Sequence, residues 1–405
     1  MIVGIDIRVL ARGKKTGIEE YTSNLLSFLL TFKNSEKIKY KLFYNAFNKV
    51  KLDYSWIKPD NVELKEFKLP NRILDLLTLV FKKPTIDKFL GPVDIFFSPH
   101  FLPISLPQQI KRVITIHDLS FKHHPQFFSF SRKLWHFLTF PKKQVKKADK
   151  IITDSFSTKE DLIKIYGIEP EKIDVIYLGI GSEFKPKLKT SSQLKEVKNK
   201  YNLPDNFILY FGTIEPRKNL ALLIKAFENI KENFSDYNPK ISWAGLEGRA
   251  TSRGKNLFDD LKLVIAGSKG WLYKDVIEKT KKSKHKEDII FTGTIDSIDK
   301  PFLYNLASIF VYPSFFEGFG FPPLEAMACG TPTIVSNASS LPEVVGDGAI
   351  MIDPYNVDEL TYTIKKVLED KELRNNLTEK GFERVKKFDW RKTAKQTLEV
   401  FYKIK

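Results

Sequence analysis

Ile309-Phe-Val-Tyr-Pro-Ser-Phe-Phe-Glu-Gly-Phe-Gly-Phe-Pro-Pro-Leu-Glu-Ala-Met-Ala-Cys-Gly-Thr-Pro332 passes from strand to loop to helix. Ile309 to Tyr312 is an apolar run of the kind buried in a parallel sheet. Gly318 and Gly320 follow Glu317 and give a backbone that bends tightly and approaches a ligand closely. Pro322 and Pro323 suit the first turn of a helix, where their missing N–H groups would have had no partner. Leu324 to Cys329 continues that helix, and Gly330 and Pro332 close it. A strand that hands a glycine loop to a helix N-terminus makes a seat for an anion such as phosphate. Glu317 and Glu325 bracket the seat eight positions apart, so both can face one ligand. Gly-x-Gly alone is a weak signal, and a plain strand–helix turn with two solvated glutamates is the alternative.

The full string resembles the signature of the family 4 glycosyltransferases, whose Glu-x7-Glu motif is here Glu317-Gly-Phe-Gly-Phe-Pro-Pro-Leu-Glu325. The resemblance implies the α/β GT-B fold: two Rossmann-like doubly wound parallel-sheet domains facing each other across a cleft.

Length and composition agree with more than one domain. The chain has 405 residues, 42% hydrophobic and 28% charged, close to the globular norm. Its one cysteine, Cys329, excludes an intramolecular disulfide and fits a reducing compartment; as a thiol nucleophile it lacks any recognisable context. The start, Met1-Ile-Val-Gly-Ile-Asp-Ile-Arg8, reads as a strand and not as a signal peptide. The longest apolar stretch, Ile73 to Phe81, is too short to span a bilayer. The expectation is a cytoplasmic protein, free or peripheral on the inner face of the cell membrane. A net charge of +17 calls for an anionic partner. Residues 1–185 hold 31 Lys and Arg against 20 Asp and Glu, and residues 186–405 hold 35 against 29, so the excess sits mainly in the first half.

Strands are expected at Ile2–Ile7, Tyr40–Tyr44, Val93–Phe97, Arg112–Ile116, Lys150–Thr153 and Lys172–Ile176, with helices between them, the first from Thr22 to Phe32. That alternation implies a doubly wound sheet whose ligands lie beyond the strand C-termini. Gly17, in the loop after the first strand, stands where a nucleotide-binding half-domain lets a substrate approach the backbone, although glycine there can be plain punctuation. The string Gly4-Ile-Asp-Ile-Arg8 with Thr16-Gly-Ile resembles the family's opening, which implies that the Gly17 loop lines the cleft. His100 and His117 both sit at strand ends, and the resemblance places His117 beside the reacting sugar; a histidine packing at a strand end is the alternative. His123 and His124 read as a surface loop. No ligand set has zinc spacing.

Ser131 to Lys147 interleaves basic residues with Leu134, Trp135, Phe137, Leu138 and Phe140, with a kink at Pro141. Such a helix can lie in a membrane interface, or it can be a surface helix whose aromatics are core. Nucleic acid would also attract it, but no nucleic-acid-binding motif accompanies it.

The pattern breaks at Gly179 to Pro186, which sets a boundary: 1–185 as an N-terminal acceptor-side domain, 186–387 as a nucleotide-sugar-binding domain, and 388–405 as a helix crossing back to the first. In the second half, Phe207–Phe211 runs into Gly212-Thr-Ile-Glu-Pro-Arg-Lys-Asn219. Arg217 and Lys218 at a strand–loop–helix junction oppose the helix dipole unless an anion sits there. The string resembles the family's donor-phosphate element. The segment Asn238 to Asp260 departs from the family pattern and has no assigned role. Ile289 to Ile295 supplies a strand and a loop, and the resemblance gives Thr294 and Ile295 backbone contacts to the nucleotide base.

The resemblance thus implies a retaining, nucleotide-sugar-dependent hexosyltransferase. Arg217, Lys218 and the loop Gly318, Phe319, Gly320 and Phe321 would take the diphosphate, Glu325 the ribose and Glu317 the sugar hydroxyls. No metal and no further cofactor are expected, because basic side chains and a helix dipole can replace one. The opening and His117-Asp-Leu-Ser-Phe121 resemble members that transfer mannose to lipid-linked precursors, which favours GDP-mannose and a glycan or polyprenyl-linked acceptor. UDP-glucose or another donor, a nucleotide-sugar epimerase, and a non-enzymatic membrane or nucleic-acid adaptor are the alternatives.

Overall fold

The computed structural model describes residues 1–12, 16–32, 37–47, 52, 54–57, 59–188, 190–234 and 257–405. Most of the unassigned segment 238–260, and residues 13–15 of the first glycine loop, lie outside them. The chain divides into two compact units, Met1–Gly179 with Phe388–Lys405, and Ile180–Lys387. The division falls before Ile180 instead of after Lys185. Gly179 is bound to the first unit by packing: a Cβ there would lie 2.2 Å from the backbone nitrogen of Trp390.

The first unit holds β1 (Ile2–Asp6), β2 (Lys39–Asn45), β3 (Val62–Phe67), β4 (Ile95–Ser98), β5 (Lys111–Ile116), β6 (Lys150–Thr153) and β7 (Ile173–Val175). They form one parallel sheet in the order β3-β2-β1-β4-β5-β6-β7. The second unit holds β8 (Phe207–Phe211), β9 (Lys262–Ala266), β10 (Ile289–Gly293), β11 (Ile309–Tyr312), β12 (Thr333–Ser336) and β13 (Ile350–Ile352). These are parallel in the order β10-β9-β8-β11-β12-β13. Both sheets reverse their strand order once, between β1 and β4 and between β8 and β11. In doubly wound sheets ligands bind at that switch point, outside the strand C-termini.

The central strands are apolar on both faces because helices cover both, so Phe207 to Tyr210 and Ile309 to Tyr312 are almost wholly buried. β3 has no such run. Val-Glu-Leu-Lys-Glu-Phe is half-exposed on the sheet edge, where charge discourages further pairing, and the sequence pattern does not announce it.

Two helices begin elsewhere than expected. The first spans Gly17–Leu29, so Gly17 is its opening residue and not part of a preceding loop. Thr16 caps it: its N–H donates to Glu19 Oε2 at 3.1 Å and its hydroxyl reaches the same carboxylate. The basic aromatic stretch does not form one kinked helix. It breaks into Phe130–Leu138 and Pro141–Lys146, with Phe140 in the left-handed region at φ 47°. A residue before proline is disfavoured in the helical region, and proline is suited to open the next helix. The last helix, Trp390–Lys403, belongs to the first unit: Thr393 Oγ1 donates to the Tyr177 carbonyl at 2.7 Å, and Phe401 packs on Phe97 of β4.

Candidate active site

β8 and β11 lie side by side, so the loops after them meet at the switch point of the second sheet. After β8 the chain runs through Glu215 into a turn of helix, Pro216–Lys218. After β11 it reaches Glu317. Lys218 Nζ donates to Glu317 Oε1 at 2.6 Å and to the Tyr312 hydroxyl at 2.6 Å. Arg217 donates to Glu317 Oε2 at 2.9 Å, to the Phe316 carbonyl at 2.6 Å and, through Nε, to Glu215 Oε1 at 3.0 Å. Two cations thus face two carboxylates, and at most 14% of any of these side chains is exposed.

Burial disfavours the Glu317 carboxylate, yet Arg217 and Lys218 outweigh it and hold the group down at about 2. Burial and then the neighbouring Arg217 pull the Lys218 ammonium below its ordinary range, against Glu317 and Glu215.

The glycine loop is fastened from a third element. Glu317 N donates to Ser339 Oγ at 2.7 Å, and Ser340 Oγ donates to the carbonyls of Glu317 and Phe319 at 2.9 and 3.1 Å. Gly320 caps the helix Phe321–Ala328 with φ 105°, and a Cβ on it would lie 2.8 Å from Leu341 Cδ2, so glycine is required there. Pro322 and Pro323 remove two of the N–H groups that such a terminus usually offers. The first turn keeps those of Gly320 and Phe321 and the helix dipole. Gly318 and Phe319 are buried in the loop, and Phe321 is half-buried at the helix start.

Glu325 is separate from this cluster. It is fully buried; Lys300 donates to Oε1 at 2.5 Å and Tyr304 to Oε2 at 2.6 Å. Lys300 lies over the rings of Phe184 and Phe211. Thr294 is exposed and Ile295 buried just past β10. Cys329 is buried too, and burial, then Glu325, pushes its thiol up to about 12, which keeps it protonated and inert.

In the first unit His117 follows β5. Its Nδ1 lies 2.5 Å from Asp154 Oδ2, and its Nε2 lies 2.9 Å from the Pro99 carbonyl oxygen. Burial would lower its pKa, but Asp154 through charge and hydrogen bond, with the Pro99 carbonyl, raises it instead. Both ring nitrogens therefore face acceptors, and the imidazolium is favoured. The Tyr21 ring stands edge-on to His117 at 4.8 Å, which joins the helix beginning at Gly17 to this histidine. A Cβ on Gly17 would meet nothing within 4 Å. His100 stacks beside His117 at 6.1 Å, and His123 pairs with Asp161 at 2.8 Å. Among the described residues no group of His, Cys, Asp and Glu has the geometry to hold a metal ion.

The sequence thus singled out Arg217, Lys218 and Glu317, which touch. It missed Glu215, Tyr312, Lys300, Tyr304, Asp154 and the Ser339–Ser340 fastening. Glu215 alone carried a local signal, two residues before Arg217.

The description "Glycosyl transferases group 1" matches residues 191–384, and "Glycosyltransferase Family 4" matches residues 46–184. The O-antigen chain mannosyltransferase B of Escherichia coli is 30% identical over 314 residues, 76% of this chain and 74% of its own length. The serotype-specific mannosyltransferase WbdA of Escherichia coli is 31% identical over 261 residues. That match takes in 64% of this chain and 29% of the relative, so most of the relative lies outside it. A sucrose-phosphate synthase from Thermosynechococcus elongatus shares the fold with a TM-score of 0.73 at 17% identity, covering 100% of this chain and 98% of that one. Two doubly wound units, a charged cluster at the second switch point and these matches lead to one conclusion: the chain belongs to the family 4 glycosyltransferases and has the GT-B fold.

Proposed function

We propose that this glycosyltransferase moves a hexose, with retention of anomeric configuration, from a nucleoside diphosphate-sugar to a glycan or polyprenyl-linked acceptor. The observation that carries the proposal is the cluster of Arg217, Lys218, Glu215 and Glu317 at the switch point between β8 and β11, beside the N-terminus of the helix Phe321–Ala328. A diphosphate entering there competes with Glu317 for the two cations. Lys218 has three N–H donors, two of which go to Tyr312 and Glu317. As phosphate takes Arg217 and Lys218, the Glu317 carboxylate is released toward the hydroxyls of the transferred sugar.

The same cations and the helix dipole stabilise the charge that grows on the leaving diphosphate. The bond from the anomeric carbon to the phosphate oxygen breaks with its electron pair. The acceptor hydroxyl attacks the same face, and its proton passes to the departing phosphate. Neither glutamate is placed as a nucleophile: Glu317 is pinned between two cations and Glu325 is enclosed by Lys300 and Tyr304. Glu325 would serve the ribose once Lys300 moves, and Thr294 and Ile295 would serve the base. Gly17, which no packing inside the protein requires, fits a backbone that a substrate approaches, on the helix whose Tyr21 stands against His117. The positive charge comes from side chains, so the reaction is read as metal-independent.

GDP-mannose is the first donor to test, because the two relatives named above are mannosyltransferases. Purified chain is given a panel of GDP- and UDP-sugars with a saccharide acceptor, and released nucleotide and the anomeric NMR signal of the product are followed. Turnover with GDP-mannose, unaffected by chelator, and an anomeric configuration equal to that of the donor are expected. An inverted product overturns retention. A converted nucleotide sugar without any glycoside overturns transfer.

A further inference from the structure

The first unit carries apolar side chains that its core does not use. On the helix Phe130–Leu138, Trp135 packs inward. Phe130, Leu134, Phe137 and Leu138 are 80, 45, 69 and 45% exposed. Their spacing puts them along one side of the helix. The helix Asn71–Phe81 repeats the arrangement. Leu74 packs into the core, whereas Ile73, Leu76, Val80 and Phe81 are between 52 and 65% exposed. Single exposed apolar residues are ordinary; two helical stripes of them mark an interaction surface.

Both helices cover the same side of the first sheet. From β3 to β4 and from β5 to β6 the chain steps across the sheet in the same direction, and right-handed crossovers then place the two connections on one face. The cores agree. Leu74 belongs to the core cluster that contains Phe96 of β4, and Trp135 packs against the cluster that contains Ile114 of β5. Ile114 is in register with Ser98, which shares a face with Phe96 two residues before it.

Charge decides what covers this surface. Residues 119–148 contain seven Lys and Arg and no Asp or Glu. Arg132, Lys133, Lys142, Lys143, Lys146 and Lys147 are all exposed, and exposed Lys82 and Lys83 follow the other helix. A second copy in a two-fold dimer would bring these cations against themselves. Nucleic acid would engage the cations and leave the Phe and Leu stripe in water. An anionic bilayer surface satisfies both, with apolar side chains in the headgroup–acyl boundary and basic groups on lipid phosphates. No helix among the described residues is long and apolar enough to cross a membrane. We propose that this face of the first unit docks on a bilayer containing anionic lipid, with both helices lying in the interface.

The test is co-sedimentation of the full chain, without nucleotide, with vesicles of phosphatidylcholine alone or mixed with phosphatidylglycerol. Binding to the mixed vesicles only, weakened by salt, is expected. Phe130→Ser with Phe137→Ser should weaken it by about tenfold or more. Lys143→Ala and Lys146→Ala should each weaken it by about fivefold. All four side chains are exposed, so the thermal midpoint and the donor turnover should stay as in the wild type; that control separates this surface from the donor site. Failure of mixed vesicles to bind, or equal binding by the Phe130→Ser, Phe137→Ser variant, overturns the proposal. So does a wild-type dimer in light scattering that this variant turns into monomer while lipid binding is absent.

Discussion

The two sheets reverse at equivalent places, yet the groups beyond their strand ends are organised differently. In the second unit four charges are buried together, and two of the pairs join residues from different strands: Arg217 and Lys218 follow β8 and Glu317 follows β11. In the first unit the histidine after β5, His117, is held by one carboxylate and one carbonyl. The first switch point has a buried pair too, Arg8 with Asp6 at 2.7 Å, but Asp6 ends β1 and Arg8 follows it. Among the described residues only the second switch point ties two strands together through buried ions, while His117 is held by orientation of a single ring. Buried ion pairs resist loss of one partner far more than they stabilise as pairs, so the two sites should fail in different ways when cut.

The sharpest cut is Glu317→Ala. It leaves Arg217 and Lys218 buried against Glu215 alone, and removal of one partner of a buried pair costs about 3–5 kcal/mol. Loss of the sugar contact proposed for Glu317 should add a turnover loss of about a hundredfold or more. Thermal melting and nucleotide release measure the two effects separately. The acid limb sharpens the comparison. Glu317 is held at about 2, below the ordinary 4.5, so its contribution is present above 4.5 and is lost as pH falls toward 2. Glu317→Ala should flatten that part of the stability profile; an unchanged acid limb would show that the pairs contribute nothing there.

Glu325 tests whether burial by itself makes a charge essential to folding. Glu325→Gln leaves Lys300 opposite a neutral amide and should cost about 3 kcal/mol. Glu325→Gln combined with Lys300→Met removes both charges and should recover most of that loss. Donor KM, measured on the double variant, separates the two roles. A recovered midpoint with a raised KM means that Glu325 also holds the donor. Recovery of both would leave it a partner for Lys300 only.

Why these partners could not be read from the chain is a matter of distance along it. β6, β8 and β11 were legible to the residue because buried parallel strands are continuous apolar runs between polar loops. Arg217, Lys218 and Glu317 were legible one by one, as charges at strand ends. Their contact was not, because it depends on β8 and β11 being neighbours in the sheet although two strands, β9 and β10, separate them in sequence. Tyr312 looked like the last apolar residue of a strand, and its hydroxyl bond to Lys218 follows only from that adjacency. Lys300 and Tyr304 sit on a short helix whose spacing says nothing about Glu325. Asp154 ends a strand as any loop residue does. The Thr16–Glu19 cap is present in the sequence, but apolar periodicity by itself places the start of the first helix later, at Thr22. β3 escaped because charged edge strands lack the pattern that marks buried ones.

The smallest expected effect belongs to the first unit. His117 has its pKa raised, with Asp154 and Pro99 outweighing burial. A raised folded value means that the interaction contributes fully below the unfolded histidine value near 6.5 and is lost as pH rises through the folded value. The wild-type thermal midpoint should therefore decline as pH climbs above about 6.5. Asp154→Asn replaces the carboxylate with an amide of the same shape and should lower the midpoint at low pH through loss of a charged hydrogen bond of about 2 kcal/mol. It should also remove the decline, because no anion is left opposite Nδ1. Nucleotide release should fall by far less than with Glu317→Ala, since Asp154 acts on the ring of His117 and not through the proposed donor cluster. A thermal midpoint that declines above neutrality with equal slope in Asp154→Asn would assign the pH dependence to other groups and leave His117 an ordinary packed ring.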